Sequence, residues 1–221
     1  MHILLTDALT CPRCGPGFGL ILLADVLDER RVVRGHLGCP NCRSQYPIRD
    51  RVADLRSGEV DASPSVGSAG DVSESHDAAM RLAALMGLAG ASGLAVIAGP
   101  GARHAAAVSA LVPELEVIAV TESAGDGGAE PGVSRVLASG AGLPFRGGMR
   151  AVALTGGADD ARLREGLRVL APGGRLVVDP APADAAERLR AMGAEVLLAE
   201  EGVAVARAPG RPVELRYNAV R

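Results

Sequence analysis

The stretch LAVIAGPGARHAAAVSAL, Leu94 to Leu111, decides how the rest of the chain is read. Five apolar residues, Leu94–Ala98, run into the turn Gly99-Pro100-Gly101, and an alanine-rich pattern with helical spacing follows. A strand that ends in glycine and feeds a helix opens a Rossmann-like α/β unit of the kind that holds cofactors. A lone glycine turn is weak evidence, because any tight strand-to-helix connection favours the same residues.

The sequence on either side supports the α/β reading. Upstream, HDAAMRLAALMGLAG (76–90) reads as a helix with Ser75 as N-cap and Gly90 as its stop; Met80, Leu82, Leu85 and Met86 have the spacing of a core face. Downstream come three strands: LEVIAV (115–120), SRVLA (134–138) and MRAVALT (149–155). A helix follows, DDARLREGLRVLA (159–171), closed by Pro172-Gly173-Gly174. RLVVD (175–179) is a strand and ADAAERLRAMG (183–193) a helix. EVLLAE and VAVARA, joined by Glu201-Gly202, read as a closing hairpin. Strands alternating with helices imply a parallel sheet covered on both faces, and the hairpin adds an antiparallel strand.

Composition limits the function classes. The 221 residues suffice for one ordinary domain and a small one. The net charge is −3, and all 23 basic residues are Arg, which reads as coding bias. Residues 1–56 carry 8 Arg against 6 acids and the remainder 15 against 20, so neither part has a phosphate-binding excess. Only Phe18, Tyr46, Phe145 and Tyr217 are aromatic, too few for a base-stacking platform. These features argue against a nucleic-acid partner. No apolar run approaches the ~18 residues of a membrane span, and no export signal is visible, so a cytoplasmic setting is expected.

All four cysteines lie in the first 42 residues as Cys11-Pro-Arg-Cys14 and Cys39-Pro-Asn-Cys42. Two C-x2-C turns brought together by a short sheet present four thiolates tetrahedrally, the pattern of a structural zinc site; a rubredoxin-like iron site has the same spacing. A 56-residue segment has little core of its own, so a metal staple is physically reasonable. Four cysteines complete the shell, leaving no open position for catalysis and leaving His36 as an ordinary strand-end residue. The expected organisation is a zinc ribbon at 1–56, a flexible linker at 57–75, an α/β domain at 76–209 and a tail at 210–221. In the tail, Val213, Leu215 and Tyr217 alternate as in an unpaired strand, which predicts addition to a sheet of a partner or a second copy.

Cys11 to Leu55, with Tyr46-Pro47-Ile48 after the second cysteine pair, resembles the small zinc-ribbon family of activator subunits of tRNA, rRNA and protein methyltransferases. That family usually has glycine where this chain has Arg51. The resemblance implies a ribbon that docks on a methyltransferase-type domain. Asp77 to Pro209 resembles the class I S-adenosylmethionine-dependent methyltransferases, most closely at LPF (143–145) and LREGLRVLAPGGRLVVDP (163–180). This second resemblance implies a seven-stranded mixed sheet in the order 3-2-1-4-5-7-6, with the cofactor across the strands' carboxyl ends.

Carried over residue by residue, the acid that anchors the methionine end falls at Ile97. The glycine series falls at Gly99, Gly101 and Arg103. The ribose carboxylate falls at Thr121, with Glu122 adjacent, and the adenine-side acid at Ser139. Ile97 accepts no hydrogen bond, and a guanidinium at Arg103 opposes a sulfonium. Each lost charge-assisted hydrogen bond costs ~1.5–3 kcal/mol. ESAGDGGAEPG, 122–132, is too glycine-rich for the helix expected there. After the fourth strand the chain reads Thr155-Gly156-Gly157, with no Asn-Pro-Pro-aromatic motif and no Cys left to act as a nucleophile, and His104 on a first helical turn suits a solvated or capping role.

The leading expectation is therefore a zinc ribbon fused to a degenerate methyltransferase-like domain, with no catalytic residue, acting as an assembly or interaction subunit with a protein partner or in a homo-oligomer. An active S-adenosylmethionine-dependent methyltransferase with an altered site at Gly99, Gly101 and Glu122 is the alternative. An anion site built on Arg103 and a helix N-terminus is the third.

Overall fold

The computed structural model describes residues 1–56, 72–123 and 132–210, with side chains in the first helix from His76 onward. The linker at 57–71, most of the glycine-rich 122–132 stretch and the tail from 211 lie outside the described residues.

The second half forms the expected alternation. α1 spans Val72–Met86, β7 Gly93–Ala98, α2 Ala105–Leu111, β8 Leu115–Thr121, β9 Val133–Leu137 and β10 Met149–Thr155. These are followed by α3 (Asp160–Val169), β11 (Leu170–Asp179), α4 (Ala185–Ala191), β12 (Glu195–Glu200) and β13 (Val203–Arg207). The strands order as β12-β13-β11-β10-β7-β8-β9, the order implied for a methyltransferase sheet, with β13 antiparallel to both neighbours. Successive residues alternate between two cores, as a doubly covered sheet requires. Val96, Ile118, Val152 and Leu176 pack on one face; Ala95, Val117, Ala151 and Val177 pack on the other, beneath α1 and α2.

The sheet does not stop at seven strands. The first segment contains β1 (Thr10–Cys11), β2 (Gly15–Gly19), β3 (Ile21–Asp28), β4 (Arg31–Gly38), β5 (Gln45–Arg49) and β6 (Val52–Asp54). β6 pairs in parallel with β9, Val52 opposite Arg135 and Asp54 opposite Leu137. β5, β4 and β3 extend the same sheet to eleven strands, while β1 and β2 form a separate pair. The expected seven-stranded sheet is corrected on this point, because β6 occupies the β9 edge that a bare seven-stranded sheet leaves open. Ribbon residues such as Leu37 and Ile48 belong to one apolar cluster with Val120 and Leu154. Arg31 at the start of β4 donates both terminal nitrogens to Glu116 on β8, at 2.6 and 2.7 Å, and one of them also to the Val133 carbonyl.

Local signals explain the element ends and correct several expected boundaries. α1 begins before Ser75, so Ser75 is not its N-cap. It ends at Met86 rather than at Gly90. Gly87 takes φ +65°, its N–H reaches the Ala84 carbonyl, and the Leu88 N–H reaches Ala83, a left-handed cap that only glycine adopts freely. Leu82 and Met86 are buried, whereas Met80 is exposed. Asp159 caps α3 by accepting from the Arg162 N–H. Pro172-Gly173-Gly174 does not end the helix; it forms an irregularity inside β11, where Met149 pairs with Leu170 and Ala151 already with Arg175.

Candidate functional sites

The first site is the cysteine cluster. Cys11 stands at the end of β1, and Gly15 after the first pair takes φ +88°. Arg43 after the second pair takes φ +61°. The Arg43 N–H reaches the Cys39 carbonyl and the Cys39 N–H reaches Ser44, closing the second turn. The four sulfurs lie within 4.8 Å of one another, with Cys11–Cys42 at 3.7 Å and Cys14–Cys39 at 3.8 Å. Bonded disulfide sulfurs sit at ~2.05 Å. The edge of a tetrahedron with metal–sulfur distances of ~2.3 Å is ~3.8 Å, so the spacing fits a four-thiolate metal site.

The surrounding groups suit anionic sulfur. Tyr46 Oη lies 3.3 Å from Cys11 Sγ, and burial holds this phenol well above its ordinary range, keeping it a donor. Asn41 Nδ2 donates to Cys14 Sγ at 3.3 Å. Hydrogen bonding with the Ser44 side chain and backbone pulls the Cys42 thiol down to about 6, whereas at Cys14 the lowering by Asn41 is outweighed by burial and the neighbouring cysteines, which push that thiol up to about 11. Such outer partners orient ligands and tune their basicity.

The knuckle is stitched to the α/β half. Leu9 bridges Phe145, the Thr10 N–H reaches the Pro144 carbonyl, and the Arg146 N–H reaches Ala8. The LPF segment therefore serves here as a docking edge for the first cysteine turn.

The second site is a cleft of about 450 Å³ at the carboxyl ends of β7, β8, β9 and β10. Gly99, Val120, Glu122, Ala138, Thr155 and Arg162 are among the residues that line it. Glu122 is the one carboxylate among its described lining residues. It is exposed, and its carbonyl accepts from Arg56 at 3.2 Å. Arg162 donates to the Gly140 carbonyl at 2.8 Å.

The glycine turn is filled from within the protein. Thr155 Oγ1, at the end of β10, donates to the Ala98 carbonyl at 2.8 Å and accepts from the Gly101 N–H at 2.7 Å. A Cβ on Gly99, where φ is +94°, would stand 2.0 Å from the Thr155 carbonyl oxygen; one on Gly101 would stand 2.6 Å from Thr155 Cγ2. These glycines are required by the approach of β10, with no ligand invoked.

The other positions carried over from the resemblance scatter. Ile97 is fully buried among apolar residues on the α1/α2 face and does not line the cleft. Arg103 is exposed and also lies outside the lining; its Nε donates to His104 Nε2 at 3.0 Å. The expectation of a guanidinium inside the cofactor loop is thereby corrected. His104 makes no side-chain cap, and burial followed by Arg103 lowers its pKa. Thr121 Oγ1 donates to the Ser123 carbonyl, and Ser139 lines a neighbouring cavity of about 320 Å³ beside the first cysteine turn. Sequence reasoning missed Thr155, Arg56 and Arg162. No local pattern distinguishes a threonine that enters a remote turn from any strand-end threonine.

No protein-family model matches the sequence, and no curated protein does. Solved structures match the fold. The [4+2]-cyclase SpnF is 16% identical, with a TM-score of 0.51 over 66% of this chain and 85% of its own. The antibiotic-resistance methyltransferase Kmr is 20% identical, with a TM-score of 0.45 over 60% and 93%. The 1,6-didemethyltoxoflavin-N1-methyltransferase of Burkholderia thailandensis is 17% identical, with a TM-score of 0.44 over 69% and 98%. The chain has a methyltransferase-like fold, joined to a four-cysteine cluster able to hold a metal. A fold leaves the reaction open, and one of these neighbours is named for a cyclisation. Among the described residues no helix is long and apolar enough to cross a membrane.

Proposed function

We propose that this chain is a zinc-ribbon protein whose methyltransferase-like half is non-catalytic and serves as an assembly or interaction subunit. The observation that carries this reading is Thr155, whose hydroxyl occupies the glycine turn and takes the Gly101 N–H. The absence of an acid at Ile97 acts in the same direction, since each missing charged hydrogen bond removes ~10–100-fold in affinity. Four thiolates with hydrogen-bonded sulfurs suit zinc in a closed, structural shell. Isothermal titration of the full chain with S-adenosylmethionine tests the proposal. Expected is no binding up to millimolar ligand, with one zinc per chain by elemental analysis; low-micromolar binding overturns it.

An active enzyme with an altered site is a second reading, favoured by Glu122 at the β8 end of an open cleft. On that reading Glu122 holds the ribose hydroxyls, and Glu122→Ala abolishes cofactor binding. The anion reading has less support, because Arg103 stands outside the cleft and engages His104.

A further inference from the structure

Among the described residues the eleven-stranded sheet ends at β3, which pairs with β4 alone and has no partner on its other edge. Long apolar edges are pairing templates unless charge or a covering element protects them. Of the ten described large apolar residues that are exposed, seven fall between Ile3 and Leu27, and four of those, Ile21, Leu23, Val26 and Leu27, are on β3. The opposite edge, β12, differs. It is two residues shorter, carries glutamate at both ends, and exposes one large apolar side chain, Leu197.

We propose that the β3 edge receives residues 211–221 of a second copy of this chain as an added strand. Three features of the sequence and fold support this occupant. Val213, Leu215 and Tyr217 alternate with polar residues, matching an edge that presents Ile21 and Leu23 on one face. The tail carries Arg211, Arg216 and Arg221 with one acid, Glu214, whereas β3 bears Asp25 and Asp28, the latter already paired with Arg51, and no base. Pro212, which lacks an N–H, is tolerated at the start of an edge strand.

Reach makes the pairing intermolecular. Chain leaving Gly210 departs beside β13, nine strand positions from β3. At ~4.8 Å per strand that is ~43 Å, whereas eleven residues extend at most ~40 Å with none left to pair. Two copies that exchange tails close a dimer, and one-way donation builds a chain of molecules. The inference holds whether or not the cleft binds a cofactor.

The test compares the full chain with a variant ending at Gly210, by light scattering after size exclusion. A labelled 211–221 peptide is then titrated into the shortened protein and its Leu23→Lys, Ile21→Lys and Leu197→Lys forms. Expected are association of the full chain, a monomer without the tail, and peptide binding weakened at least tenfold by Leu23→Lys or Ile21→Lys and unchanged by Leu197→Lys. All three side chains are exposed, and circular dichroism checks that each variant folds. Association that persists without the tail overturns the proposal in favour of direct β3–β3 pairing. A monomeric full chain, absence of peptide binding, or binding lost through Leu197→Lys, which would place the strand on β12, overturns it as well.

Discussion

Thr155 Oγ1 serves the Ala98 carbonyl and the Gly101 N–H together, so two backbone groups of the glycine turn depend on one side chain. Thr155→Val keeps the volume and removes both hydrogen bonds beside apolar walls. The expected loss is ~1–3 kcal/mol, read as a lower urea midpoint at unchanged slope. Were the turn's amide reserved for a ligand, the substitution would leave stability unaltered. At this scale sequence reading had mixed success. Comparison by position singled out Gly99, Gly101 and Glu122, of which Gly99 and Glu122 line the cleft and Gly101 does not. It misplaced the Arg103 guanidinium, because a residue's number in a motif does not say which way a long side chain leaves its turn.

Among the elements, α3 carries a clamp. Glu165 accepts from the Leu143 N–H and from Arg168 Nε and Nη2, while Arg168 donates to the Leu143 and Phe145 carbonyls. Burial alone would raise the Glu165 pKa, but these donors outweigh it and hold the carboxyl below its ordinary value. A carboxyl depressed on folding contributes stability fully present above its unfolded pKa, ~4.3, and lost as pH falls through the folded value. Glu165→Gln should therefore be less stable than wild type at neutral pH. Its stability should decline less between about pH 5 and pH 3, measured by thermal melting. The clamp matters because it fixes the loop on which the first cysteine turn docks.

The elements themselves were largely legible. Short apolar runs between turn signals marked β7, β8 and β10, and Glu201-Gly202, both at positive φ, formed the expected hairpin turn. Pro172-Gly173-Gly174 was misread as a helix stop, because proline and glycines interrupt strands and helices with the same residues. The run from Arg175 to Asp179 was correctly taken as strand, yet the strand begins at Leu170.

Across the molecule, strands β3–β6 of the first segment share one sheet with the α/β core, and the cysteines pack in or against the same apolar cluster. In the proposed metal-loaded state, a chelator should lower the melting temperature of the entire chain in a single transition followed by circular dichroism. Two separated transitions would show that the halves unfold independently. The resemblance implied that the ribbon docks, but a continuous sheet was not legible in the sequence. The short β6 carries no mark of its partner, since pairing it to β9 joins segments ~80 residues apart through backbone hydrogen bonds that any side chains permit.

The same separation has a consequence during synthesis. A ribosome adding ~5–20 residues each second finishes β6 roughly 4–16 s before β9 emerges. Throughout that interval the nascent hairpin sheet has two open borders, one of them destined for its own chain. In the proposed metal-loaded state, a metal captured early would hold the cysteine turns shut while the remaining border waits.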